Sequence, residues 1–268
     1  MVNLIDGHCD KCGPDAPRQF LEKRSFTGPD GEALDGYDFY ECQTCGVRFY
    51  SPRYDEREWL ERVNRNTLVQ AAQLERTGSW FDADADNVKM LRGFYRSMWD
   101  RAIRLAGWFH PRVLEVGCHV GHSLVPAIDY GLDVWAIEPD INAAKFAAEK
   151  AAHAHVQATT LLEAEFHPSY LFDIIIMNDT IEHTFTPWQD LQRANALSRV
   201  GAVLMVKTFA EDMAGSDRYV GLGHEWHFPT QTLIRWIHEA GWDVLSVEPQ
   251  TQWAQVTIWA NKRQPTSE

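Results

Sequence analysis

From Pro111 to about Ala260 the chain alternates strand-length apolar runs with amphipathic helical segments, and that alternation leaves few folds open. RVLEVG (112–117) reads as a short strand, followed by a helix from about Ser123 to Tyr130. DVWAIEP (133–139) is the second strand and NAAKFAAEKAA (142–152) the second helix. HVQA (155–158) is a weak third strand. FDIIIMND (172–179) is a strong fourth, its unbroken apolar run suggesting burial on both faces. TPWQDLQRANALS (186–198) is a helix, GAVLMVKTF (201–209) a fifth strand, and PTQTLIRWIHEAG (229–241) a helix stopped at Gly241. DVLSVEP (243–249) and AQVTIWA (254–260) close the run as a hairpin-like pair. Strands alternating with helices build right-handed βαβ units around a parallel sheet, and the last pair adds one antiparallel strand. The expected fold is therefore α/β, a doubly wound, mostly parallel, seven-stranded sheet.

Val113 to Gly121 reads V-L-E-V-G-C-H-V-G: an acid near the strand end, then a glycine-bearing turn into a helix. Glu115, Gly117, His119 and Gly121 align with E/D-x-G-x-G-x-G, and the stretch resembles motif I of the class I S-adenosylmethionine (SAM)-dependent methyltransferases. His119 replaces the middle glycine of that pattern; His is among the non-glycine residues that tolerate positive φ. A dinucleotide fingerprint, G-x-G-x-x-G, would need glycine at 119 and 122, where the chain has His119 and His122. Glu138 ends the second strand, where an acid is placed to accept both ribose hydroxyls of a nucleoside. The resemblance implies a SAM site of Glu115, Gly117, His119, Gly121, Glu138, Thr160, Leu161 and Asn178. Thr160 and Leu161 stand where the family often has an acid for the adenine amine.

Phe172 to Trp188 resembles the family's fourth strand and the E-H segment after it. Asn178 and Asp179 fall at the carboxyl end of the strand, where open α/β sheets place their ligands. Glu182 and His183 follow. His183 is the leading general-base candidate, because imidazole titrates near neutrality. GHEWHFP (223–229) contributes His224, Glu225 and His227; His227 is the second base candidate, and the trio is also a candidate second metal site. The reaction implied by the resemblance is O-methylation of a small polar acceptor, a sugar or secondary metabolite. RNA base methylation and a catalytically inactive SAM-fold interaction module are the alternatives.

Ahead of this region lie Cys9-x2-Cys12 and Cys42-x2-Cys45, each pair followed by glycine. Four thiolates in two such knuckles make a closed tetrahedral zinc site, structural rather than catalytic. Residues 1–55 are accordingly expected to form a small zinc ribbon, residues 56–108 a helical linker or cap, and residues 109–262 the SAM-binding domain. Helices are expected over 56–80 and 86–108. Asp82, Asp84 and Asp86 resemble the start of a calcium loop, but Asn87 and Gly93 occupy its glycine and glutamate positions, so they read as a helix start.

Charge narrows the partners. Net charge is −13, and the first 60 residues carry 7 basic against 12 acidic side chains. Binding to nucleic acid or an anionic membrane needs clustered Lys and Arg, so neither is expected. The N-terminus has no basic-then-apolar leader and no run of 18 apolar residues exists, so a cytoplasmic location is expected. The expected partner is a small-molecule acceptor, with homodimerisation left open.

Overall fold

The computed structural model describes residues 4–27, 33–61, 86–214 and 224–264. Within these, thirteen strands and five longer helices follow in the order β1 (Leu4–Ile5), β2 (Arg18–Thr27), β3 (Ala33–Cys42), β4 (Arg48–Ser51), β5 (Arg53–Tyr54), α1 (Asp86–Ala106), β6 (Arg112–Val116), α2 (Leu124–Asp129), β7 (Asp133–Ile137), α3 (Ile141–Lys150), β8 (His155–Gln157), β9 (Phe172–Asn178), α4 (Pro187–Ala196), β10 (Ser198–Phe209), β11 (Trp226–His227), α5 (Thr230–Glu239), β12 (Trp242–Gln250) and β13 (Gln255–Lys262). The seven-stranded sheet has the order β12-β13-β10-β9-β6-β7-β8. Pairing is parallel for β6 with β7, β6 with β9 and β7 with β8, and antiparallel for β12 with β13. The doubly wound, mostly parallel sheet expected from the alternation is thus present.

The chain forms two compact units: the described residues of Met1–Trp59, Asn178–Asn195 and Val206–Arg263, and those of Leu60–Met177, Ala196–Met205 and Gln264–Glu268. In the second unit, Phe172 to Met177 of β9 are all buried, as the apolar run implies. Met98, Trp99 and Ala102 are the buried face of α1, while Leu105 on the same stripe is 39% exposed. α1 stops at Ala106 because Gly107 takes φ 66°, a left-handed helix end. The expected helix over 56–80 and the acids Asp82 and Asp84 lie mainly outside the described residues; residues 56–61 are helical.

In the first unit, α5 buries Leu233, Trp236 and Ile237, which share one helical face, and packs on β12. Each such side chain contributes about 1.5–3 kcal/mol by leaving water. The N-terminal sheet has four strands, β11-β4-β3-β2. In its long β2–β3 hairpin, Tyr37–Tyr40 of β3 reads as strand-like in the sequence, while β2 has no apolar run. Phe39, Tyr50 and Tyr37 form its buried cluster. Its edge is closed by β11, with Trp226 opposite Phe49 and His227 opposite Arg48. Among the described residues no helix is long and apolar enough to cross a membrane.

Candidate functional site

The turn after β6 carries three left-handed residues, Gly117 (φ 74°), His119 (φ 48°) and Gly121 (φ 77°). Glycine is required at 121 by packing: a Cβ there would lie 2.9 Å from Cα of Ala147 in α3. That explains its identity without any ligand. His119 adopts the conformation a glycine would otherwise fill, and its N–H donates to Oε2 of Glu138 at 2.8 Å. Oε1 of Glu138 accepts the N–H of Asp140 at 2.9 Å. Asp140 in turn caps α3 through the N–H groups of Asn142 and Ala143. Burial pushes the Glu138 carboxyl up to about 7, opposed by these two main-chain bonds. Glu115 lies within β6, also buried; it accepts the Ser123 hydroxyl at 2.5 Å, and burial lifts it to about 7.

A buried carboxylate beside a tight turn suits a nucleoside with vicinal hydroxyls, because each carboxylate oxygen keeps a second lone pair. Thr160 donates its hydroxyl to Glu163 at 3.1 Å, and Leu161 is buried. Asn178 ends β9; its Nδ2 donates to Asp179, and its buried Oδ1 has no hydrogen-bond partner.

After β9 the chain turns sharply. Asp179 is left-handed (φ 51°), its N–H donates to the Lys207 carbonyl at 2.8 Å, and its carboxylate is held by Lys207 Nζ and by Gln255 at 2.9 Å. Glu182 follows, 2% exposed, with no hydrogen-bond partner at either oxygen. Burial, then the Asp179 charge, push its carboxyl up to about 7, with the His224 charge opposing. The His183 and His224 rings stand 4.5 Å apart. One ligand atom from each of Glu182, His183 and His224 lies within 4.8 Å of the others, a spacing that could hold a metal ion. Two indoles fix this loop: Trp59 donates to the His183 carbonyl at 3.0 Å and Trp226 to the Thr184 carbonyl at 2.8 Å.

His227 sits elsewhere in the same unit. Its ring stands edge-on to Phe39 and to Tyr50, 5.1 Å from each, and Nδ1 is 3.2 Å from Glu211. Glu211 also meets Arg24 and Arg48. It is therefore His224, not His227, that is brought beside His183. Sequence reasoning missed Lys207, Gln255 and Trp59 as parts of the loop, because only the folded topology carries them there.

The four cysteines converge as their spacing implies. One sulfur from each of Cys9, Cys12, Cys42 and Cys45 lies within 4.8 Å of the others. Gly13 (φ 83°) and Gly46 (φ 80°) supply the left-handed residue after each pair, and the Cys12 N–H donates to the Cys9 sulfur at 3.3 Å. The neighbouring Cys45 sulfur and burial push the Cys9 thiol up. Such a set of donors fits a single tetrahedral cation, which would relieve the repulsion among four thiolates.

Residues 53–247 match a family model described as a methyltransferase domain. A relative named ubiquinone biosynthesis O-methyltransferase, from Rhodopseudomonas palustris (strain BisB5), is 31% identical over 216 residues, covering 75% of this chain and 76% of that protein. The namesake from strain TIE-1 is 30% identical over 129 residues, 43% of this chain and 51% of that one. The chain thus matches about half the length of that relative. Among solved structures, the Burkholderia thailandensis 1,6-didemethyltoxoflavin-N1-methyltransferase, bound to 1,6-didemethyltoxoflavin and S-adenosylhomocysteine, has a TM-score of 0.55 at 15% identity. It covers 81% of this chain and 96% of its own. The [4+2]-cyclase SpnF has a TM-score of 0.53 at 15% identity, over 63% of this chain and 82% of its own. These two likenesses concern the fold, and the cyclase shows that the fold alone does not fix the reaction. With the family model matching most of its length, the chain belongs to the methyltransferase-domain family.

Proposed function

We propose that the chain O-methylates a hydroxyl of a small polar acceptor, with His183 as general base. The observation that carries this is the Glu182–His183–His224 cluster, in which a buried carboxylate without a hydrogen-bond partner adjoins two imidazoles. The relatives' shared name, an O-methyltransferase of ubiquinone biosynthesis, supports a hydroxyl acceptor. SAM supplies an electrophilic methyl on a sulfonium. Glu138 and the turn Gly117–Gly121 hold the nucleoside end in this reading, and the family resemblance adds Glu115, Thr160, Leu161 and Asn178 as cofactor residues. His183 then takes the hydroxyl proton, since a neutral alcohol is a poor nucleophile. His227 is assigned a packing role, because Glu211 and two aromatic rings fix it. Cys9, Cys12, Cys42 and Cys45 hold a structural zinc.

A second reading has Glu182, His183 and His224 hold a divalent cation that lowers the pKa of the acceptor hydroxyl. Single-turnover rates with and without His183→Ala test the base. Chelation mild enough to leave the four-cysteine zinc in place, followed by Mg2+ or Mn2+ addition, tests the cation. Turnover untouched by both treatments sinks both readings.

A further inference from the structure

Arg53 is a buried cation with two donor nitrogens that the fold leaves without a hydrogen-bond partner. It belongs to β5, opposite Ile5 of β1, and is only 5% exposed. Its Nε and Nη1 are buried without a hydrogen-bond partner. The guanidinium lies 4.7 Å from the Phe185 ring centre and 4.9 Å from that of Trp226. Buried polar groups are overwhelmingly hydrogen-bonded, and a charged donor left bare calls for an explanation. Glu225 most strongly, then Asp10 and Cys9, act on Arg53 through charge, but none accepts a hydrogen bond from Nε or Nη1, and the Asp10 carboxylate is already taken by the Trp188 N–H at 2.7 Å and by Gln189.

The two rings flanking Arg53 locate it. Phe185 is two residues past His183, and Trp226 two past His224. The Trp226 N–H donates to the Glu182 carbonyl at 3.2 Å, so the loop segments that grip the guanidinium are those that build the Glu182–His183–His224 cluster. Two ring faces pack on the guanidinium without using its N–H donors, the donors by which an arginine takes a planar or tetrahedral anion.

We propose that Arg53 is the anion-recognising residue of the acceptor site, taking a carboxylate or phosphate group carried by the methyl acceptor. The proposal rests on the acceptor binding at the Glu182–His183–His224 cluster, and it gives the N-terminal module a part in choosing the substrate. The acceptor class is then an anionic hydroxyl compound rather than a neutral sugar.

The full-length, zinc-loaded protein is titrated with benzoate, phenyl phosphate and neutral benzyl alcohol, following tryptophan fluorescence and calorimetry. One anion should bind saturably at least ~10-fold more tightly than benzyl alcohol, and the tighter anion distinguishes carboxylate from phosphate. Arg53→Met should remove that preference while zinc content and SAM affinity stay normal. Equal binding of anions and alcohol by the unaltered protein, or a preference that survives Arg53→Met, would overturn the assignment. If Arg53→Met loses its zinc, Arg53→Lys decides: an anion affinity at least ~3-fold lower with zinc retained supports a bidentate guanidinium, and an unchanged affinity overturns it. Anion binding alongside turnover indifferent to His183→Ala would sink the base and leave Arg53 standing. Absent anion binding in a chain whose turnover needs His183 would sink Arg53 alone.

Discussion

Lys207 Nζ lies 2.7 Å and 2.6 Å from the two carboxylate oxygens of Asp179. The first acid after β9 is therefore neutralised within the protein, while the next, Glu182, has no such partner. This pair also holds Asp179 in a left-handed conformation that favours glycine or asparagine.

Lys207→Met should accordingly destabilise the chain by about 1–3 kcal/mol, less than a fully buried pair costs because the Asp179 side chain is 35% exposed. Denaturant melts of Lys207→Met, Asp179→Ala and the double variant measure the coupling. A double variant as destabilised as the sum of the singles would mean the pair contributes nothing.

His183→Ala should lower single-turnover methyl transfer at least ~100-fold while leaving SAM affinity nearly intact. Calorimetry with SAM and rapid-quench rates on one preparation check both halves. Near-normal turnover would remove His183 from the base role; lost SAM binding would reassign it to shaping the cofactor site.

Burial raises Glu138 to about 7 from an ordinary 4.5, and the sign of its pH effect follows. Between about 4.5 and 7 the folded chain keeps a proton that the unfolded chain has released, so stability falls as pH rises through that window. Glu115, Glu182 and Asp190 are lifted to the same range and add to the fall. Thermal melts of the SAM-free protein should show it, and Glu138→Gln should flatten it. SAM affinity should rise through pH 7 as Glu138 ionises to receive the ribose hydroxyls. A pH-independent affinity, or one unchanged in Glu138→Gln, would take Glu138 out of the site.

Protein purified without added zinc should carry about one equivalent, as expected of a closed four-thiolate site. Cys42→Ser should lose that metal and, with it, the order of the β2–β3–β4 sheet, visible as a lower melting temperature. Zinc retained in the variant would exclude Cys42 as a ligand.

The parallel sheet was legible because burial on both faces writes an unbroken apolar run into β9, and because glycines mark the turn after β6. The cysteine convergence was legible from knuckle spacing alone. What stayed hidden depends on pairing at a distance. Nothing in Trp226–His227 announces an edge strand for β4, so in the sequence His227, and not His224, reads as the second base candidate. Arg53 carries no local motif, since its peculiarity is the absence of a partner, which only packing reveals. Lys207 reads as an interruption in an apolar strand until Asp179 is found opposite it. The 29-residue excursion between the cysteine pairs hides a hairpin because β2, RQFLEKRSFT, has neither an apolar run nor a regular alternation.

The β11–β4 pairing has a consequence for the order in which the chain is made. Ser51 and the earlier strands leave the ribosome long before Trp226, and at about 5–20 residues per second the interval is roughly 9–35 s. Through that time the edge of β4 has no neighbour and the His227 slot between Phe39 and Tyr50 is empty. Unpaired edges of this kind recruit other strands. Nascent chains should therefore be most exposed to misassociation in this window, which closes only when β11 pairs with β4.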